Sequence, residues 1–233
     1  MKRAIDDATA VDAPSVDPEK PASEDTATTA AKKVKSSPEK PAGKSVEKER
    51  TMPRAWMMDT LDADQRLEHQ CDPPEPVDLE YLKEHGVLYW KLDADNFKEE
   101  GKLDKIREER GYTYEDEVTL DHGKLPDYEA KIKMFFQEHI HRDEEIRFCT
   151  DGSGYFDFRD KNDRWVRIEF LKGDMIILPA GIYHRFTLDN KDYIKARRYF
   201  VGEPVWTPVN RPADDDKSRK AYVSTLKDGG FAA

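Results

Sequence analysis

Cysteine is scarce in this chain: Cys71 and Cys149 are the only two among 233 residues. Two thiols make no disulfide framework at this length, so the fold must rest on packing, hydrogen bonds or a metal. Long apolar runs are missing too, and no stretch approaches the ~20 residues a membrane-crossing helix needs. The opening Met1-Lys2-Arg3-Ala4-Ile5-Asp6-Asp7 lacks the apolar core of a signal peptide. These absences lead us to expect a protein of the cell interior. Residues 1–51 have no aromatic side chain and few large aliphatics. Excess basic charge is also lacking. The ten basic and ten acidic residues of 1–51 cancel, and the net charge of −10 falls on residues 52–233. An acidic body argues against general nucleic-acid binding, which needs a basic face.

The composition divides the chain. Residues 1–51, rich in Ala, Thr, Ser, Pro, Lys and Glu, cannot bury enough apolar surface to offset the entropy of ordering. They read as a disordered extension, and residues 52–233 read as one folded domain. Inside the extension, Lys32-Lys33-Val34-Lys35 stands before Ser36-Ser37-Pro38. Such a cluster is either a nuclear import signal or a solvated lysine run. The expected location is therefore the cytoplasm, with the nucleus added under the first reading.

In the folded part, Val77–Glu84 carries a short helical pattern, with Asp78 as cap and Gly86 as stop. Gly86–Leu92 reads as a strand, and Asn96–Arg110 as charged helical sequence with Leu103 and Ile106 in the core. Pro126–Phe136 reads as a helix with Pro126 in its first turn. Its Tyr128, Ile132, Phe135 and Phe136 share one face. Short strands follow at Ile146–Thr150, Gly154–Arg159, Trp165–Phe170, Asp174–Leu178, Arg185–Leu188 and Ile194–Phe200, with a hairpin turn at Asp160–Asp163. Asp214–Lys217 reads as a loop or the approach to a last helix. So many short strands at regular spacing suggest a mainly β, double-stranded barrel or jelly roll.

Histidine is rare as well, six in all, yet three of the six fall in two short segments. The first is His139-Ile140-His141-Arg142-Asp143-Glu144-Glu145. Alternate residues of a strand point to one face, so an extended His139-Ile140-His141 aims both imidazoles the same way. The second runs from Gly173 through Pro179-Ala180-Gly181 to His184. Imidazoles and a carboxylate converging on one point suit a divalent transition metal. The blander reading is a solvated hairpin with an unrelated core histidine. Cys149, close by, reads as a small buried filler.

The spacing His139-x-His141-x3-Glu145-x6-Gly152, then Gly173-x5-Pro179-x-Gly181-x2-His184, resembles the two motifs of the cupin superfamily. Lys133 and Leu188 stand where those motifs have Gly and Asn. Leu88–Leu92, Asp151–Asp157, Pro179–Phe186 and Phe200–Trp206 narrow the resemblance to the acireductone dioxygenase family of methionine salvage, from about Met52 to about Ser224. The resemblance implies a cupin barrel with flanking helices. It implies metal ligands His139, His141, Glu145 and His184, with Fe2+ or, alternatively, Ni2+ as cofactor. Its substrates are acireductone and O2. Iron members yield formate and 4-methylthio-2-oxobutanoate; nickel yields formate, carbon monoxide and 3-methylthiopropanoate. The resemblance gives Arg147 the catalytic and substrate-binding role of holding an anionic oxygen. It places Phe135, Phe186 and Trp206 in the substrate pocket, with Arg198 as a further candidate. No nucleic-acid or membrane partner is expected, and the protein is expected to be a monomer. From the residues alone, other readings stay open: a closed structural zinc site, a cupin of different chemistry, or a nuclear interaction protein using the barrel as a binding module.

Overall fold

In Trp165–Leu171 the apolar Val166, Ile168 and Phe170 alternate with the charged Arg167 and Glu169, the pattern of a strand with one face inward. The computed structural model describes residues 51–205 and 207–231. Apart from Thr51, the extension read over 1–51 lies outside the described residues, as does Trp206. Strands β1 (Ala55–Met57) and β2 (Pro76–Val77) come first, then helix α1 (Leu79–Glu84) and strand β3 (Leu88–Lys91). Helices α2 (Phe97–Glu100) and α3 (Lys102–Arg110) precede strand β4 (Tyr114–Asp121) and helix α4 (Tyr128–Phe136). Then come β5 (His139–Ile140), β6 (Glu145–Arg159), β7 (Trp165–Leu171), β8 (Asp174–Leu178), β9 (His184–Leu188), β10 (Tyr193–Phe200), β11 (Val209–Asn210) and helix α5 (Lys217–Lys227).

Among the described residues every strand pairing is antiparallel, and the long strand β6 belongs to two layers. Its first half pairs with β8 and β10, which carry β3 and β4 outside them. Its second half pairs with β7 and β9, which lead out to β1, β2, β5 and β11. The result is the mainly antiparallel cupin barrel, with a few flanking helices, that the sequence suggests.

The period of two sorts the side chains of the first layer. Ile146, Phe148, Met175, Ile177 and Tyr199 form one buried cluster with Leu103 and Ile106 of α3. The residues between them, Ile176 and Leu178, join the larger cluster of Phe156, Phe158, Ile168, Phe170, Leu188 and Ile194. Full burial of each such side chain contributes about 1.5–3 kcal/mol. Cys149 is buried in that larger cluster, and burial pushes its thiol up to about 12, so it is an inert filler as expected.

The structure corrects the sequence reading in four places. The expected strands Ile146–Thr150 and Gly154–Arg159 are one strand, because Gly152, at φ 75°, bends within the ladder rather than ending it. The partner strand takes up the extra length as a register shift between Lys195 and Ala196. The helical segment Asn96–Arg110 is two helices, parted at Gly101 with φ 72°. Pro126 stays outside α4, which starts at Tyr128 after Asp127 in the left-handed region. Strand β4 was not anticipated, since its inward row, Tyr114, Asp116, Val118 and Leu120, includes a carboxylate that breaks the apolar alternation.

Other expectations stand. Asp78 caps α1 by accepting from the Tyr81 N–H at 2.8 Å; Asp216, which the sequence did not single out as a cap, caps α5 by accepting from the Ser218 N–H. Tyr128, Ile132 and Phe135 of α4 pack on the core, while Phe136 lies under the Arg185 guanidinium at 4.0 Å. Among the described residues, no helix is long and apolar enough to cross a membrane.

Gly152 offers a direct test of the bend. A Cβ there would collide with the Tyr193 carbonyl oxygen and stand 2.8 Å from the Tyr193 ring, at a φ that L side chains avoid. Gly152→Ala is expected to lower unfolding stability by about 1–3 kcal/mol, read as a lower urea midpoint. An unchanged midpoint would mean the bend does not depend on the glycine.

Candidate metal centre

Four side chains from three neighbouring strands and one turn converge. His139 lies in β5 directly opposite His184 at the start of β9. His184 pairs in turn with Phe158 of β6, the strand whose first residue is Glu145. His141 sits one residue past β5, and its carbonyl accepts from the Gly181 N–H at 2.9 Å. That single backbone bond ties the His-x-His segment to the Pro-Ala-Gly turn before His184. The turn needs its glycine: Gly181 has φ 80°, and a Cβ there would collide with the Ser218 carbonyl of α5.

Neighbouring carbonyls fix two of the rings. His139 Nδ1–H donates to the Gln137 carbonyl at 2.6 Å and His184 Nδ1–H to the Ile182 carbonyl at 2.9 Å. Each Nε2 is thereby left available to a metal. Nε2 of His141 and Nε2 of His184 lie 3.0 and 3.2 Å from the same Glu145 Oε2. One donor atom from each of His139, His141, Glu145 and His184 lies within 4.8 Å of every other. Ligands ~2.1 Å from one ion and at right angles to each other lie ~3 Å apart, which the 3.0 and 3.2 Å separations match. The donor set fits a divalent metal of borderline character, with nitrogen and oxygen ligands and no thiolate.

Local electrostatics favour the ligating forms. Burial, with His184 next to it, depresses His139 to about 3, so the ring stays neutral. For Glu145, burial alone would raise the carboxyl. Arg147 and the two imidazoles outweigh it and hold the group well below the usual carboxylate range. Arg147 Nη2 reaches Glu145 Oε1 at 3.2 Å, and its Nη1 donates to the Ile146 carbonyl at 3.0 Å.

Beside the cluster lies a cavity of about 80 Å³. Its polar lining is Glu145, Arg147 and Arg198; the rest is Val118, Leu120, Phe135, Phe156, Phe170, Phe186, Ile194 and Ala196. Phe135, Phe186, Arg147 and Arg198, singled out in the sequence, thus meet at one cavity, whereas Trp206 lies outside the described residues. Sequence reasoning missed Phe156, read only as strand, and Asp116, which holds Arg198 in a two-point ion pair at 2.6 and 2.7 Å.

A model of the ARD/ARD′ family matches residues 54–208. The chain belongs to the acireductone dioxygenase family. Its relatives include an acireductone dioxygenase of Branchiostoma floridae, 62% identical over 182 residues, which cover 78% of this chain and all of the relative. The Homo sapiens acireductone dioxygenase is 58% identical over 175 residues, covering 75% of this chain and 98% of the relative. Among solved structures, an acireductone dioxygenase from Bacillus anthracis, with a cadmium ion in its active centre, aligns with a TM-score of 0.56 at 24% identity. The alignment covers 69% of this chain and 99% of that one, a likeness of fold. With family membership goes the enzyme class: this acireductone dioxygenase family member is a metal-dependent oxidoreductase that acts with O2.

His184→Ala removes the candidate ligand in the second motif. After dialysis against a chelator, metal analysis is expected to find the metal retained by the parent protein and at least ~10-fold weaker binding in the variant. Equal retention would take His184 out of the ligand set.

Proposed function

We propose that the chain cleaves acireductone, 1,2-dihydroxy-3-keto-5-methylthiopentene, with O2 as a step of methionine salvage. Iron is the working metal and nickel the alternative. With iron the products are 4-methylthio-2-oxobutanoate and formate; with nickel they are 3-methylthiopropanoate, carbon monoxide and formate. What carries the reading is one juxtaposition. A largely buried three-imidazole, one-carboxylate cluster shares Glu145 with a cavity that has two guanidiniums and otherwise apolar walls. A small enediolate with a methylthio tail has that same division of charge and apolar surface.

In this reading His139, His141, Glu145 and His184 hold the ion. When bound, the ion supplies the Lewis acidity and redox activity that O2 chemistry requires. The protein's own groups do the rest. Arg147, held against Glu145, offers its guanidinium to an anionic oxygen of the substrate. Phe135, Phe156, Phe170 and Phe186 exclude water and enclose the apolar tail. Glu145 stays ionised throughout, because Arg147 and two imidazoles face it. The enzyme works as a monomer on a small molecule in the cytoplasm. If Lys32-Lys33-Val34-Lys35 serves as an import signal, it works in the nucleus as well.

The test is to strip the metal, rebuild the protein with iron or nickel, and supply acireductone and O2. Each form is expected to consume acireductone faster than its spontaneous oxidation, with carbon monoxide released by the nickel form alone. Consumption at the spontaneous rate by both forms would refute the substrate. The keto acid from both would leave the dioxygenase and remove the metal-dependent split.

A further inference from the structure

We propose that Asp116 is a positioning residue: by clamping Arg198, it holds the second cationic group of the cavity in place for an anionic substrate. The inference rests on the substrate class proposed above. Register places three charged residues in one row across three strands. Asp116 of β4 lies opposite Arg198 of β10, and Arg198 lies opposite Arg147 of β6. Residues directly opposite in antiparallel strands have Cβ atoms about 4.5–5.5 Å apart, and like charges so placed repel. Both guanidiniums therefore need an answering charge. Arg147 has Glu145 at 3.2 Å. Arg198 has Asp116, which accepts from Nε at 2.7 Å and from Nη2 at 2.6 Å.

That two-point fork fixes the plane of the guanidinium as well as its position. Arg147 and Arg198 line the cavity but Asp116 does not, so its influence passes through Arg198. The pair is half-buried, with side-chain exposures of 24% and 27%. A pair so placed costs desolvation that an apolar contact would not, and stability alone gives little reason for it. The other inward positions of β4 following it, Val118 and Leu120, are apolar and line the same cavity. A carboxylate in that row is best accounted for by what it does to Arg198. Its two-point ion pair opposes the repulsion that Arg147 exerts on this long, rotatable side chain.

A double-mutant cycle tests this in the full-length, metal-loaded protein: Asp116→Asn, Arg198→Ala and the two combined. Acireductone binding is titrated without O2, so that no turnover intervenes, and metal content and melting temperature are measured alongside. Asp116→Asn is expected to weaken binding about 10-fold with metal content and melting temperature unchanged. In the Arg198→Ala background the same change is expected to add nothing, because the two residues act as one unit. Asp116→Glu, which keeps the charge and the fork, is expected to recover most of the affinity. Unaltered or tighter binding in Asp116→Asn overturns the proposal. So does an equal loss in the Arg198→Ala background, or a drop in metal content or melting temperature, which would make Asp116 a residue of the fold. If the parent protein itself does not bind acireductone, the substrate reading fails, and this inference falls with it.

Discussion

Everything in the barrel depends on one strand serving two layers. β6 gives its first half to β8 and β10 and its second half to β7 and β9, and the change of partners falls at Gly152. Only a residue free to take φ 75° and bare of a Cβ can lie against the Tyr193 carbonyl there. The bend keeps the two layers hydrogen-bonded to a common backbone, with the cavity between them. It also carries Glu145 and Arg147 on the inward face of the strand, while Ile146 and Phe148 seal the outside under α3.

The metal centre is assembled where separate pieces of backbone are joined. The His139↔His184 register brings two candidate ligands together, and the Gly181 N–H to His141 carbonyl bond ties the His-x-His segment to the turn before His184. Helix α5 closes behind this turn, with Ser218 against Gly181 and the Arg219 guanidinium donating to the Gly181 carbonyl at 3.2 Å. Two of the three rings, those of His139 and His184, are thus oriented by backbone carbonyls. Preorganisation of this kind is what lets a site hold a metal without a further ordering cost.

The two motifs that carry the candidate ligands can be read in the sequence because each is local: three possible donors lie within seven residues, and His184 follows its own glycine-proline turn. Long, well-patterned elements such as α4 and β7 were legible too. What stayed hidden depended on pairing. Two short strands around a Gly-x-Gly pattern look the same whether the chain turns or merely bends, and only the partner strands decide. β4 was invisible because Asp116 stands in its inward row. Its carboxylate is accommodated by Arg198 of β10, 82 residues away, a partner that no local pattern reveals. Arg198 too is set by pairing. Its place beside Arg147 follows from register alone.

The central claim is that three imidazoles and one carboxylate hold a single ion and leave room for a chelating substrate. X-ray absorption at the iron edge of the iron-loaded full chain tests it most directly, before and after acireductone is added without O2. Expected is a shell of about six nitrogen and oxygen neighbours with imidazole back-scattering. Substrate should then change the oxygen neighbours while the imidazole signal stays. A four-coordinate shell that acireductone leaves untouched, or a sulfur ligand, would contradict it.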